Sequence, residues 1–586
     1  MIVVHVTHEA VEKIGGIGTV IAGLTTAKAY AGKVTRTILL GPLLSTDRPV
    51  NLRLGEDGQL LYSSLDAVES PPWLNLFRPI ERTYDVGIIY GTRRVSEPCS
   101  GQATEVEVLL VDVFHSNHDR LNLFKGELFK KFAVPSSAFE HVWEYEEYVR
   151  LAEPGYEAVK ALIADNADEE VVFLAHEYMG MPTALKAVLD GSPRTRTVFY
   201  AHEVASVRPI VEDHPGHDTM FYNVLEQASG NGDRLEDHFP EALGNYKHPL
   251  VRAARYCDCV FAVGDRVVEE LRFVDPHFRT MEIDLVYNGI PHMPLTVEQR
   301  HTSHRRMQQY AESLFGTRPA WIATHVARPV LSKGIWRDLR VLHEMEPLLA
   351  ERDESAVFFM LGTLAGQRRT QDICHMERVY GWPVAHEDGY PDLCGGEEVI
   401  GAMFDDFNRN HQSVSAVLVN QFGWAHGTCG LRMPEDMTFA DVRRGTDMEF
   451  GLSVYEPFGI SQFEPLTFGA LCLPSNVCGC MGFARQVEKY LGIDDSIIVG
   501  DFLGDLAATD SIAELRALPS WRRDEIENAE ARRLAERVVA LLPRDDETLA
   551  KRIKTGHDLA AMMSWEHVVS EYFLPNLDRA AARELV

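Results

Sequence analysis

The sequence predicts an α/β protein built from two doubly wound, Rossmann-like domains that face each other across a cleft, with C-terminal helices packing back. Short apolar, β-branched runs alternate with longer helix-like segments, as is typical of parallel sheets covered by helices. The first half contains IVVHVT, RTILLGP, VEVLLVDV, VVFLAHE, TVFYAHE and CVFAVG, and the second contains WIATHVA, AVFFMLG, SAVLVNQFG, FGLSVY and LCLPSNV. A length of 586 residues suits two or three domains at about 100 to 200 residues each.

A polar, helix-like stretch, HMPLTVEQRHTSHRRMQQYAESLFG, separates the two halves and leads into the strand at Trp321. We therefore place the domain boundary within 292–318. The predicted parts are an N-terminal domain over 1–300, a C-terminal domain over 301–545 and a helical tail over 546–586. Apolar anchors that would dock this tail are Trp565, Tyr572, Phe573 and Leu574.

The charge balance argues against nucleic-acid and membrane partners. The chain has 57 basic and 87 acidic residues, a net charge of −30, so a polyanion would meet an opposing field. The start, MIVVHVTHEA, resembles a first strand more than a leader, and no apolar run approaches the roughly 20 residues of a membrane helix. We expect a soluble, cytoplasmic protein in which a few cations and helix N-termini still bind a small anion.

Two close cysteine pairs, Cys257/Cys259 and Cys478/Cys480, raise the question of a metal site. Their single-residue spacing inside apolar segments lacks the two-residue knuckle of common zinc motifs. We therefore interpret these cysteines as small, buried, hydrophobic residues in a reducing compartment and not as zinc ligands.

A glycine turn follows the first strand in EKIGGIGTV, which contains Lys13, Gly15, Gly16 and Gly18. Glycines let a ligand approach the backbone, and the helix that follows offers free amides to negative charge. The turn is not a GxGxxG fingerprint, so a plain tight turn remains the alternative.

Two later strands end in the same dipeptide, His176-Glu177 and His202-Glu203. In open α/β sheets ligands bind at the carboxyl ends of strands, so these side chains are candidates for a site. The alternative is structural, with each histidine bonding a loop carbonyl.

In the second half, ATHVARPVLSKGIW places Arg328 and Lys333 in a loop after a strand. Arginine supplies a forked donor and lysine a mobile point charge, which together suit a pyrophosphate. Solvated surface cations are the alternative reading.

The segment FGLSVYEPFGISQFEPLTFGAL runs from a strand through a glycine turn into a helix. Glu456 and Glu464, which are separated by seven residues, would face one ligand, while Gly459 and the amides of Ile460 and Ser461 would face its anionic part. For Glu464 a capping box over Ser461 to Glu464 is the competing interpretation.

These segments together resemble the glycogen and starch synthases, particularly the animal and fungal glycogen synthase branch. The resemblance covers most of the chain in order, through EKIGGIGTV, HEYMG, FYNVLEQASG, YCDCVFAVGDRVVEELR, VYNGI, ARPVLSKG and YEPFGISQFE. The chain departs from the family at Tyr178 and Phe458, where tryptophan is usual, and at Ser461, where threonine is usual. Asn288 in VYNGI is a further site-lining candidate.

The resemblance implies a retaining glycosyltransferase of the GT-B fold. Arg328 and Lys333 would then neutralise the donor's diphosphate, Glu456 would contact the transferred sugar, and Glu464 would bind the donor ribose. It also implies that no metal ion or pyridoxal phosphate is needed.

The remaining roles that the resemblance implies are contacts with the donor and its sugar. Gly15 and Gly16 would lie against the donor, and His176 would contact the sugar. The donor-binding set also includes Lys13, Gly18 and Phe458.

The regulated members of the family carry an arginine-rich helix that senses glucose 6-phosphate. Here RRDEIENAEARRLAERV carries Arg522, Arg523, Arg532, Arg533 and Arg537 among acidic residues that can pair with them. A salt-bridged surface helix is favoured over an effector site.

The expected function is transfer of glucose, with retention, from a nucleotide-glucose to the non-reducing end of a glucan. UDP-glucose is favoured over ADP-glucose as donor, and a homo-oligomer is expected. One alternative is a transferase with a small acceptor, of the sucrose- or trehalose-forming type. Another is a catalytically silent scaffold that binds the sugar nucleotide.

Overall fold

The computed structural model describes residues 1–12, 15–97, 100–166, 168–492 and 495–582. The chain forms two compact units. Unit 1 comprises Met1–Pro209, Ala228–Gly289 and Trp565–Val586, and unit 2 comprises Ile210–Gln227 and Ile290–Ser564. Each unit contains a largely parallel sheet covered by helices, which confirms the predicted two-domain α/β fold.

Unit 1 has a nine-stranded sheet in the order β3-β4-β5-β2-β1-β6-β7-β8-β9. The strands are β1 (Ile2–Val6), β2 (Arg36–Pro42), β3 (Gly58–Ser63), β4 (Gly87–Ser96), β5 (Ala103–Asp112), β6 (Val171–His176), β7 (Thr195–Ala201), β8 (Cys259–Ala262) and β9 (Ile283–Leu285). Strands β3 and β4 are antiparallel, whereas β5 to β9 form one parallel array with β2 and β1. The helices before Ile290 are α1 (Ile17–Thr26), α2 (Lys28–Lys33), α3 (Pro71–Tyr84), α4 (His118–Phe132), α5 (Trp143–Leu162), α6 (Glu177–Asp190), α7 (Arg208–Asp213), α8 (His217–Asn231), α9 (Leu235–His238), α10 (His248–Ala253), α11 (Asp265–Val274) and α12 (His277–Thr280). Of these, α7 and α8 lie largely in the unit 2 segment Ile210–Gln227.

Unit 2 has a five-stranded parallel sheet in the order β12-β11-β10-β13-β14. Its strands are β10 (Trp321–Val326), β11 (Ala356–Leu361), β12 (Val414–Val419), β13 (Met448–Gly451) and β14 (Leu471–Pro474). Its helices are α13 (Val297–Phe315), α14 (Ile335–Ala350), α15 (Thr370–Val379), α16 (Glu397–Asn410), α17 (Phe439–Gly445), α18 (Ile460–Phe463), α19 (Met481–Leu491), α20 (Leu506–Thr509), α21 (Ile512–Arg516), α22 (Ser520–Leu541) and α23 (Asp546–Met562). The chain then returns to unit 1 with α24 (Trp565–Val568) and α25 (Leu574–Ala582).

Both faces of the unit 2 sheet are buried, which explains its continuous apolar strands. Along β11, Phe358 packs in one core cluster and Phe359 in another, because successive side chains point to opposite faces. Helix α14 lies over the first face and α13 over the second. Because helices cover both faces of the sheet, polar residues such as those of the predicted site lie in the loops that follow the carboxyl ends of the strands.

The units differ from the predicted parts, 1–300, 301–545 and 546–586. Unit 2 begins at Ile290 and includes the excursion Ile210–Gln227, whose Thr219 hydroxyl donates to the carbonyl of Phe502 at 2.8 Å. The predicted tail is divided at Ser564/Trp565. These boundaries depend on hydrogen bonds and packing between segments that are distant in sequence. The alternation of apolar and helix-like segments along the chain does not indicate such contacts.

Two of the four predicted tail anchors, Trp565 and Phe573, are buried, and Tyr572 and Leu574 are half-buried. Trp565 lies directly against Gly23 and Gly289, where an added Cβ would come within 2.1 Å and 2.6 Å of it. The end of the described chain is thus packed into the core of unit 1. Across the described ranges, no helix is both long and apolar enough to cross a membrane.

Candidate functional site

The strand order of unit 2 places a topological switch point between β10 and β13. From β10 the chain proceeds to β11 on one side of the sheet, and from β13 it proceeds to β14 on the other. The loops after β10 and β13 therefore diverge, and crevices at such points are where open α/β sheets bind ligands. Arg328 and Lys333 follow β10, and Glu456 follows β13.

Backbone hydrogen bonds join these two loops to each other. The carbonyl of Ser332 accepts from the amides of Val454 at 2.8 Å and Tyr455 at 3.3 Å. Gly334 has φ of +62°, and a Cβ there would lie 2.2 Å from the carbonyl oxygen of Leu452. Glycine is therefore required where the first loop passes the second, and the loops form one rigid frame.

Within this frame Lys333 and Glu456 form an ion pair, with Nζ 2.5 Å from Oε2. Their side chains are 14% and 13% exposed, so solvent and a small ligand can reach both. The Nε2 of Gln462 lies 3.5 Å from the same carboxylate oxygen. The structure therefore brings together two residues that are 123 positions apart in sequence.

Arg328 stands beside this pair in sequence but is not neutralised. Its side chain is exposed and has no ion pair or hydrogen bond to any residue that the structure describes, although its carbonyl accepts from the amide of Val330. The guanidinium is thus available to an anion that enters the loop.

Glu464 does not form the capping box that its spacing allows. Helix α18 begins after Gly459, which has φ of +84° and makes no side-chain cap. The carboxylate of Glu464 instead pairs with the buried Nε of Arg443 at 3.1 Å, and Arg443 also binds Glu449 at 2.9 Å. Because the N-cap is Gly459 and not Ser461, Glu464 is not the third residue of the helix, where the carboxylate of a capping box stands.

The predicted anion-binding amides belong to a very short helix. Helix α18 has four residues, so Ile460 and Ser461 make up half of it and its dipole is small. The carbonyl of Ser461 accepts a hydrogen bond from Arg443, and Phe458 is buried. Lys333 and Arg328 therefore carry most of the positive charge at this site.

A turn containing Cys478, Gly479 and Cys480 supports the Glu456 loop, a role that the sequence did not reveal. The amide of Gly479 donates to the carbonyl of Glu456 at 2.9 Å, and a Cβ on Gly479 would lie 1.7 Å from the carbonyl oxygen of Pro457. Both thiols are buried, with the sulfurs 2.9 Å apart, and burial raises the pKa of Cys480. The predicted burial of these cysteines is confirmed.

Unit 1 has its own switch point between β1 and β6, at which the glycine turn and His176 lie. Lys13 lies outside the described residues. The amide of Gly18 donates to Oε2 of Glu9 at 2.9 Å, and a Cβ on Gly15 would lie 3.1 Å from Oε1 of the same residue. The buried carboxylate of Glu9 thus supplies the negative charge that the sequence assigned to a ligand, and Gly16 stands in open space.

His176 lies in a row of three histidines. Its Nε2 is 2.9 Å from Nδ1 of His5 on β1, and its Nδ1 is 2.8 Å from Nε2 of His202. While both bonds are in place, neither ring nitrogen of the fully buried His176 is open to a sugar, which differs from the predicted direct contact. His5 gave no spacing signal, because it is a single polar residue within an apolar strand.

The other unit 1 candidates are tied to the protein. Oε1 of Glu177 accepts from the amide of Glu203 at 2.6 Å, and burial followed by the charge of Glu203 raises the pKa of Glu177. Glu203 pairs with Arg208. Asn288 is buried, and its Oδ1 has no hydrogen-bond partner among the residues described.

The five arginines of α22 are all ion-paired, as the salt-bridged interpretation predicts. The pairs are Arg522 with Asp510, Arg523 with Glu527, Arg532 with Glu344, Arg533 with Glu530 and Arg537 with Asp495. Three of these partners lie outside the helix, which the periodicity of the helix alone could not indicate.

The chain matches no known protein-family model and no curated protein sequence. Among solved structures it is similar to the catalytic domain of starch synthase IV from Arabidopsis thaliana bound to ADP and acarbose, with a TM-score of 0.52, 13% identity and 100% of both chains covered. It is also similar to an α,α-trehalose 6-phosphate synthase from Burkholderia multivorans, with a TM-score of 0.49, 11% identity and 99% of both chains covered. A sucrose-phosphate synthase from Thermosynechococcus elongatus matches with a TM-score of 0.44, 12% identity and 98% coverage of both chains.

The likeness to the starch synthase identifies the fold as the GT-B fold of glycosyltransferases. A fold alone does not define an activity.

Proposed function

We propose that the protein is a retaining glycosyltransferase that transfers glucose from a nucleotide-glucose to a glucan. One observation carries the proposal: Lys333 and Glu456 form an accessible ion pair at the switch point of unit 2, and the unpaired Arg328 lies in the same loop as Lys333. A catalytically silent scaffold has no need to keep all three.

In this proposal the donor's diphosphate takes the place of Glu456 as the partner of Lys333. A diphosphate carries more negative charge than one carboxylate. It can also bind the forked donor of Arg328, which the carboxylate of Glu456, 2.5 Å from Lys333, does not use. Glu456, released from the lysine, is then free to bind the sugar that is to be transferred.

The same cations would act in catalysis. Negative charge appears on the diphosphate as the glycosidic bond breaks, and fixed positive groups stabilise that charge more in the transition state than in the ground state. The acceptor hydroxyl attacks on the face from which the diphosphate leaves, and the leaving phosphate takes its proton, so the configuration at the sugar carbon is retained. Arg328 and Lys333 supply the charge, so neither a metal ion nor pyridoxal phosphate enters the proposal.

The donor base and the acceptor follow from the family resemblance. UDP-glucose is the favoured donor, and ADP-glucose is the other donor to test because the similar starch synthase structure contains ADP. Glucan is the favoured acceptor, while the trehalose- and sucrose-forming enzymes make a small acceptor the rival.

The test is a transfer assay with the purified full chain. UDP-glucose or ADP-glucose is supplied with glycogen, with free glucose or fructose, or with their 6-phosphates, and both released nucleotide and glucosylated product are measured. We expect incorporation into glycogen in an α-linkage, identified by NMR of the product. Transfer only to a small sugar would favour the rival, and nucleotide release without any transfer would contradict the synthase proposal.

A further inference from the structure

A continuous chain of side-chain hydrogen bonds crosses the inner strands of unit 1. The hydroxyl of Tyr30 is 3.1 Å from Nε2 of His5, His5 Nδ1 is 2.9 Å from Nε2 of His176, and His176 Nδ1 is 2.8 Å from Nε2 of His202. Tyr30, His5 and His176 are 2%, 0% and 0% exposed. The proposed function uses none of these contacts as they stand.

Burial keeps the three rings neutral over the physiological pH range. It lowers the pKa of His5 and of His202 to about 3, and it lowers the pKa of His176 well below its usual value. A neutral imidazole has one nitrogen that donates and one that accepts. The ring nitrogens therefore cannot choose their roles independently of one another.

The geometry allows only two ordered arrangements of protons along the row. If His5 carries its proton on Nδ1, then His176 must accept at Nε2 and carry its own proton on Nδ1, and the same follows for His202. If His202 carries its proton on Nε2, the reverse order places a proton on Nε2 of all three rings. The three histidines therefore share one tautomer.

The row ends at His202, which follows β7 and is half-buried. Its Nδ1 is the one ring nitrogen of the three histidines without a hydrogen-bond partner among the described residues. It is therefore open to a ligand at the carboxyl end of a strand, where α/β sheets bind their ligands.

We propose that His202, through Nδ1, hydrogen-bonds a hydroxyl group of the sugar substrate, and that Tyr30, His5 and His176 are positioning residues that decide whether this nitrogen carries a proton. The inference rests on the proposed function, because it takes a sugar as the ligand. The order of the row decides whether Nδ1 of His202 donates to that hydroxyl or accepts from it, and a mixture of the two orders would weaken the contact.

Two substitutions of His202 distinguish the proposed hydrogen bond between Nδ1 and the sugar from the hydrogen bond between Nε2 and His176. The amide of Asn in His202→Asn falls near the former Nδ1, whereas the amide of Gln in His202→Gln falls near the former Nε2 and keeps the bond to His176. We expect His202→Gln to lower kcat/KM for transfer at least tenfold and His202→Asn to retain at least three times more activity than His202→Gln. Full activity in His202→Gln would overturn the contact at Nδ1.

The positioning role is tested by Tyr30→Phe, which keeps the buried ring against Phe573 and removes only the hydroxyl. Nitrogen-15 NMR of histidine-labelled protein reports which nitrogen of each ring is protonated, with His5→Gln, His176→Gln and His202→Gln used to assign the signals. We expect one shared tautomer in the wild-type protein and a mixture at His202 in Tyr30→Phe, with a threefold to tenfold loss of kcat/KM and little change in Tm. Different tautomers among the three histidines of the wild-type protein would overturn the proposed hydrogen-bond chain from Tyr30 to His202.

These readouts keep the two proposals distinguishable. If the wild-type protein transfers sugar but His202→Gln is fully active, the sugar contact fails and the proposed function stands. If the wild-type protein transfers no sugar, the proposed function fails and the sugar contact fails with it. The tautomers measured by NMR would still show whether the hydrogen-bond chain from Tyr30 to His202 is present.

Discussion

Lys333 is held by Glu456 before any ligand arrives, so its charge is already fixed in place. Preorganised charge stabilises a transition state without reorganisation at the moment of reaction. We expect Lys333→Ala to lower kcat at least tenfold while Tm changes little, because the lysine is part of a loop that backbone bonds already hold.

Steady-state kinetics with a nucleotide-glucose and glycogen would measure this loss, with thermal unfolding measured in parallel. Lys489→Ala, at an exposed position of unit 2, is the matched control for removal of one lysine. Near-normal turnover in Lys333→Ala would remove the lysine from the mechanism.

Glu147 on α5 gives unit 1 a stability that depends on pH. Burial, and then the charge of Glu144, raises the pKa of the Glu147 carboxyl to about 7. A carboxyl whose pKa is higher in the folded state stabilises the fold below its unfolded pKa of about 4.3, and this stabilisation is lost as pH rises through 7. We expect Tm to fall between pH 5 and pH 8 more steeply in the wild-type protein than in Glu147→Gln.

Differential scanning fluorimetry across that pH range measures the difference in slope. Glu157→Gln makes the same substitution at a half-buried position of the same helix and serves as the control. Parallel pH profiles for the wild-type protein and Glu147→Gln would contradict the assignment.

At single positions, the sequence identified residues through motifs and missed residues that lack one. Lys333 and Glu456 were found because cations or carboxylates followed strands at a recognisable spacing. His5, Glu9 and Arg443 were missed because a lone polar residue in an apolar or mixed segment carries no period, and its partner lies far away in sequence. The capping box at Glu464 was an incorrect alternative because spacing alone does not fix where a helix begins.

Among the helices, the contact between α1 and α24 depends on the absence of a side chain at Gly23. A Cβ at this position would lie 2.1 Å from the ring of Trp565. We expect Gly23→Ala to destabilise unit 1 by about 1 to 3 kcal/mol through overpacking. Thermal unfolding would show this as a lower Tm.

Gly32→Ala provides the matched control, because an added Cβ at this exposed position of α2 meets nothing within 4 Å. There we expect a gain of about 0.5 to 1 kcal/mol from helix propensity. Equal Tm values for the two variants would show that the Trp565 contact does not limit the packing.

Strands were predicted well where both faces are buried and poorly at the edge of the sheet. Every apolar run that the sequence identified overlaps a strand, from β1 at Ile2–Val6 to β14 at Leu471–Pro474, although FGLSVY shares only Phe450 and Gly451 with β13. Strands β3 and β9, at the two edges of the unit 1 sheet, and β4, which lies next to β3, were missed. Strand β4 continues from an apolar start into GTRRVS, which is polar and partly exposed. An edge strand needs no continuous apolar pattern.

Across the whole molecule, the excursion Ile210–Gln227 is held in unit 2 by a buried ion-pair network. Arg337 lies between Asp218, at 2.6 Å, and Glu527, at 2.8 Å, with all three side chains 0% exposed. Removing one partner of a buried pair leaves an uncompensated charge. We expect Arg337→Met to destabilise unit 2 by about 3 to 5 kcal/mol.

Arg340→Ala is the control on the same helix, because Arg340 also binds Glu527 but is 26% exposed. Its loss should be well under half of that in Arg337→Met, as measured by thermal unfolding. Similar losses for both variants would mean that Asp218 does not depend on Arg337.

The division of unit 1 into three chain segments has a consequence for protein synthesis. Residues 565–582 leave the ribosome only after the whole of unit 2 has been translated, and Trp565 packs against Gly23 and Gly289 only then. The unit whose first segment is translated first is therefore the last to be completed. Any attempt to produce unit 1 separately must therefore supply the distant segment as well.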